Sequence, residues 1–174
     1  MKNTWKKPAT ASLDDYQKAV IGLVSAGNLP KKMEANEAKL LKLVKGLSSK
    51  KLAFRYAKGK WNIPEVIMHL IDTERVLTYR ILAISRGDTA PLPGFDQDLY
   101  IKGIEASKLD FKKILKEYKA VRKATLHLLK HLSEEMYMRK GTANSTATTV
   151  QKIVYFMAGH EVHHMNIIKE KYLK

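Results

Sequence analysis

His160 and His164 stand four residues apart in the run Gly159-His160-Glu161-Val162-His163-His164. On a helix that spacing stacks two side chains on one face. Two imidazoles placed so can grip one divalent cation. Ile153, Phe156, Met157 and Ile167 share their arc, about 100° wide, which is the stripe a helix turns toward its core. A lone inward histidine is ordinarily a core residue bonded to a neighbour. Two of them, one turn apart, each need a partner of their own, so a shared metal ion stands beside that reading. His163 falls about 60° off the arc and reads as a rim or surface residue. The run also satisfies H-E-x-x-H, in which two histidines hold zinc and the glutamate is the general base of a metalloprotease. Only ten residues follow His164, which leaves little room for a downstream third ligand, and no strand is expected to line a peptide cleft. Peptide hydrolysis is therefore not the expected chemistry. Glu161 stays a candidate base for a small substrate.

The 174 residues suit a single domain, residues 1–174, with an irregular lead-in over 1–12. The chain has no cysteine, so its own residues offer no disulfide, thiolate ligand or thiol nucleophile. A metal must take histidine, carboxylate or water, which suits Zn, Ni, Fe, Mn or Co without choosing among them. No apolar signal segment opens the chain and no apolar run of about 18 residues occurs, so a cytoplasmic protein off the membrane is expected. Asn144-Ser145-Thr146 matches a glycosylation pattern that such a protein would never use. The net charge of +15 comes mostly from lysine spread over several helices. Aromatic residues do not interleave with it as base stacking requires, so nucleic acid is not the expected partner.

Four amphipathic stretches must position these residues. The first runs from about Lys31 to Leu47, after a short helix over Leu13 to Val24. The second runs from Ile63 to about Arg86, capped by Asn62 with Glu65 reaching back and stopped by Gly87. The third runs from near Ser107 to His131, and the fourth from a Thr148 cap, with Gln151 at the capping-box position, to about Leu173. Residues 88–106 form a long connection, residues 141–146 a loop, and no segment alternates as a strand would. The expected fold is an all-α four-helix bundle with a long crossover between helices 2 and 3, which builds its site from facing helices. Glu74 lies inside the second helix's apolar arc. It is either a site carboxylate or half of a buried ion pair with an arginine. His69 lies at the edge of that arc, where periodicity alone makes it a boundary residue. His127 and His131, near the end of the third helix, read as surface residues.

The stretch from Trp61 to Arg86, the following Gly87-Asp88, Pro91-Leu92-Pro93-Gly94-Phe95-Asp96, and Gly159 to Asn166 together resemble the DinB-like superfamily, known also for its YfiT-type metal-dependent hydrolases. The likeness covers most of the chain in order. It implies a four-helix bundle with a long crossover, often dimeric, so a homodimer is expected. It also implies a divalent ion on three histidines, one from the second helix and two from the last, here His69, His160 and His164. Some relatives are thiol-dependent transferases using bacillithiol, mycothiol or glutathione. The polar stretch from Thr142 to Thr146 and the lysine content depart from the family pattern and bear on substrate choice.

Three neutral imidazoles leave one or more positions open, as catalytic sites do. The expectation is a metal-dependent enzyme acting on a small molecule, with thiol S-transfer ahead of hydrolysis. A low-molecular-weight thiol would then be a cosubstrate, and Glu74 and Glu161 the candidate catalytic residues. The contrasting expectation is a non-enzymatic protein, either a metal-stabilised bundle or a basic nucleic-acid-binding protein.

Overall fold

The computed structural model describes residues 5–11 and 13–174. The expected lead-in over 1–12 lies partly outside them, and its described part forms no regular element. Helix α1 (Asp15–Gly22) precedes α2 (Leu29–Val44), a short α3 (Ser49–Ala53) and the long α4 (Ile63–Ser85). A crossover holding α5 (Gln97–Ile104) and a 3-10 turn (Ala106–Lys108) leads to α6 (Phe111–Lys130). Then come α7 (Glu134–Met138), strands β1 (Lys140–Ala143) and β2 (Thr146–Thr149), and α8 (Val150–Ile167), which runs on into a wider π-helical turn (Ile168–Tyr172). Helices α2, α4, α6 and α8 are the four-helix bundle. Helix α4 packs on α6 and α8, α2 on the same pair, and α1 lies against α8. Among the described residues no helix is long and apolar enough to cross a membrane.

The ends of α4 follow from its flanking residues. Asn62 Oδ1 accepts the Glu65 amide at 3.0 Å, and Glu65 Oε2 accepts the Asn62 amide at 2.8 Å. This capping box satisfies two orphan donors at once. At the other end Gly87 takes φ +92°. Its amide reaches Ile84 O, and the Asp88 amide reaches Ala83 O, closing a Schellman motif.

Three sequence expectations need correction. Residues 140–149 are not a strandless loop. They form an antiparallel hairpin pairing Lys140 with Thr149 through Ala143 with Thr146. Its two-residue turn places Asn144 and Ser145 at φ 50° and 58°, the backbone of a type I′ turn. Four-residue strands are too short to show an alternation, and tertiary contacts hold these: the Leu92 amide donates to Thr142 O and Leu92 O accepts from the Asn144 amide, each at 2.9 Å. The hairpin also moves the cap of α8 to Thr149, the last residue of β2, whose hydroxyl accepts the Lys152 amide. Gln151 donates to Lys6 O instead of closing a capping box. Finally, α6 begins at Phe111. Glu105 adopts a left-handed backbone and Asp110 captures the Lys112 amide, so Asp110 is the cap and Ser107 falls in the preceding 3-10 turn.

The core has two apolar clusters. One gathers Leu77, Ile81 and Ile84 of α4 with Leu126 and Leu129 of α6 and Val150 to Ala158 of α8. The other gathers Ile63, Val66, Ile67, Met68, Leu70 and Ile71 of α4 with Ile114, Tyr118, Met165 and Ile168. Between them, at the waist of the bundle, sit the buried polar residues Thr73, Glu74, Arg122, His160, Glu161 and His164.

Candidate metal centre

Helix α4 carries His69, and α8 carries His160 and His164. Neighbouring elements cover α4 on nearly every side over its first turns, so Ile63 to Ile71 are all buried. That burial takes in His69, which periodicity alone placed at a boundary. The Trp61 ring lies 4.8 Å from the His69 ring, and Phe156 stacks on His160 at 5.6 Å and 19°. These apolar faces leave the imidazoles few orientations.

The three Nε2 atoms converge. His160 Nε2 lies 3.2 Å from His69 Nε2 and 3.1 Å from His164 Nε2, and one ligand atom from each ring falls within 4.8 Å of the others. A neutral imidazole nitrogen carries either one hydrogen or one lone pair. His160 Nε2 faces two neighbours with a single such group, so hydrogen bonding satisfies one contact and leaves the other unmade. Three lone pairs directed at one cation satisfy all of them. Metal–nitrogen bonds near 2.0–2.1 Å at tetrahedral to octahedral angles put the nitrogens roughly 2.9–3.4 Å apart, which brackets the observed spacing. On the far sides of the rings, Thr73 Oγ1 lies 3.4 Å from His69 Nδ1, while His164 Nδ1 is buried without a protein partner.

Burial sets the protonation of the trio. It lowers His69 to about 4. It lowers His160 to about 3, aided by His69 and His163, and His164 to about 2, aided by His160 and His69. All three are neutral near pH 7, the state that donates a lone pair. His163 is half-buried, edge-on to the Tyr16 ring at 5.9 Å, a rim position. His127 and His131 are exposed.

Glu74 and Glu161 meet behind this face, around Arg122 of α6. Arg122 Nε and Nη2 donate to Glu74 at 2.9 and 2.8 Å. Nη1 and Nη2 donate to Glu161 at 3.1 and 2.8 Å, and Nη1 also donates to Met33 O at 2.8 Å. Tyr118 donates its hydroxyl to Glu161. All four side chains are buried. The reading of Glu74 as half of an ion pair is thus the arrangement found. A metalloprotease base needs its carboxylate beside the ion's open position, whereas that of Glu161 is held by Arg122 and Tyr118. A void of about 10 Å³ separates His160 from Glu74, Arg122 and Glu161, room for about one water. Arg122 was missed as a site residue, yet its signal was present: it lies one turn beyond Tyr118 on the inward face of α6.

Two larger hollows flank the trio. A cavity of about 270 Å³ is lined by His69 and His160, and by Tyr16, Arg80, Phe95 and the hairpin. A cleft of about 320 Å³ reaches His164 between Tyr56, Trp61 and Tyr172. Gln97 of α5 lines both. Neither Glu74 nor Glu161 lines either hollow.

The family profile describing the DinB superfamily matches residues 32–168. Among solved structures, the chain is similar to YfiT from Bacillus subtilis, described as "a probable metal-dependent hydrolase with an unusual four-helix bundle topology". The two share 20% sequence identity and a TM-score of 0.76, over 95% of this chain and 90% of that one. At that identity the likeness concerns the fold. No curated protein matches the chain.

Proposed function

The chain belongs to the DinB superfamily, and on that premise we propose that it is a divalent-metal-dependent enzyme acting on a small molecule. The observation that carries this reading is the meeting of His69, His160 and His164 through three nitrogens that hydrogen bonding cannot all satisfy. His69, His160 and His164 would hold the ion. When bound, it would supply Lewis acidity that makes a water or thiol at an open position a nucleophile near neutral pH. The description of YfiT as a metal-dependent hydrolase agrees with that chemistry.

The chain's own residues do the rest. Trp61, tilted against the His69 ring, and Phe156, stacked on that of His160, hold two of the rings in place. Glu74 and Glu161, with one guanidinium between two carboxylates, keep negative charge behind His160.

Of the two chemistries, thiol transfer is favoured over hydrolysis by one observation. Two hollows reach the histidines, one lined by His69 and His160 and the other by His164, which suits two reactants better than one substrate and water. With no cysteine in the chain, the thiol would be a small cosubstrate. The test loads the protein in turn with Zn, Ni, Mn, Fe and Co and measures bound metal per chain. Loaded protein is then assayed with glutathione, bacillithiol or mycothiol and a chloronitroaromatic electrophile. One ion per chain and thiol consumption above the metal-free control are expected. No metal bound above background would end the reading.

A further inference from the structure

Arg80 is the one guanidinium lining the cavity that His69 and His160 face. Its side chain is nine-tenths buried, where arginine ordinarily meets a carboxylate. Here it meets none. Nη2 donates to Pro93 O at 2.7 Å, and among the described residues Nε is buried with no partner. One of five N–H donors is thus engaged. A buried, unsatisfied donor on a permanent cation is costly, and structures keep such groups where something else completes them.

The rest of the cavity agrees. Lys152 also lines it, and among the described residues no aspartate or glutamate does. Its other polar groups, among them Gln17, Gln97 and Thr148, are neutral. Arg80 thus gives the hollow a positive wall that no described carboxylate faces. Arg80 lies eleven residues beyond His69 on α4, about three turns, so both project from nearly the same face with their backbones roughly 16 Å apart along the helix. A guanidinium presents a planar fork that matches a carboxylate.

We propose that this cavity binds a small molecule bearing a carboxylate, with Arg80 as the anchor for that group and the reacting end directed toward His69 and His160. This rests on the reading of the cavity as the substrate pocket and adds the substrate's charge and orientation.

The probes are benzoate, benzamide and phenyl phosphate, titrated calorimetrically into the full chain. Each titration is run on metal-loaded protein and on protein stripped with chelator, because a carboxylate could also bind an ion directly. Benzoate is expected to bind both forms, with benzamide weaker by about 10- to 100-fold. Arg80→Gln should lose a similar factor while bound metal per chain stays unchanged, and Arg80→Lys should recover part of it. Equal binding of benzoate and benzamide, or undiminished binding by Arg80→Gln, would overturn the proposal, and tighter binding of phenyl phosphate would overturn its choice of carboxylate. If Arg80→Gln fails to fold, Gln97→Glu serves instead. It adds a carboxylate to the cavity wall from an exposed position in the first turn of α5. It should weaken benzoate by about tenfold, and unchanged binding would count against Arg80. A chain that takes up no metal but keeps the benzoate contrast would sink the enzymatic reading and leave the anion site standing.

Discussion

At the scale of single residues the trio and the Arg122 cluster make opposite demands. The imidazole nitrogens converge on a point where a cation would fit, and the carboxylates already hold one. Replacing His69, His160 or His164 by alanine removes one of three ligands and should weaken metal binding by more than about 100-fold, since even outer partners of such ligands cost 10- to 100-fold. Competition with a chromogenic chelator measures it. The same changes should not unfold the metal-free protein, because the converging nitrogens are poorly satisfied there. Arg122→Met should act in the reverse sense. It strands Glu74 and Glu161 without a counter-charge in a dry layer and should cost about 3–5 kcal/mol in urea unfolding. His160 and His164 were legible in the sequence because one helix carries both, so spacing and arc sufficed. His69 needed the family likeness, because its burial comes from the way other elements wrap α4 and not from the pattern of α4 itself. Arg122 was passed over because a charged residue on an inward face looks like an error in the stripe until its two partners, on other helices, are known.

At the scale of elements, close backbone approach decides what can change. Gly159 precedes the first α8 ligand, and a Cβ there would lie 2.1 Å from Val20 O of α1. Gly159→Ala must push the two helices apart, at about 1–3 kcal/mol by analogy with overpacked cores. Because Tyr16, Gln17 and Ile21 of α1 line the 270 Å³ cavity, benzoate binding should weaken with it. Thermal unfolding and titration of one variant test both effects. The hairpin turn offers the converse. Ser145 holds φ 58°, a left-handed conformation that disfavours a residue with a Cβ. Ser145→Gly should gain about 0.5–1 kcal/mol without touching the histidines. The four long helices were legible because each repeats an apolar stripe over many turns. The hairpin, α3, α5 and α7 were not. They span four to eight residues, too few for a period to declare itself, and they exist because Leu92, Asp96 and Ser133 supply backbone or side-chain partners from outside or at their ends.

At the scale of the whole molecule, the three histidines tie stability to pH. Each folded value lies below the ordinary 6.5, so on acidification the unfolded chain takes up protons first. The contribution of these groups is complete above about pH 6.5 and is lost progressively as pH falls through the folded values, from about 4 for His69 to about 2 for His164. Metal-free protein should lose urea stability steadily over that window. His164→Gln should flatten the slope, and saturating metal should shift the loss to lower pH by holding the lone pairs. Urea titrations at pH 7, 6, 5 and 4 provide the comparison. The polar waist between the two apolar clusters has a further result. Ile84 and Ile114 belong to different clusters, so Ile84→Val and Ile114→Val should each cost about 0.5–1.5 kcal/mol and sum to within about 0.5 kcal/mol when combined. Each oily end is then free to drift over generations without consulting the other, while the charged girdle between them must be inherited whole.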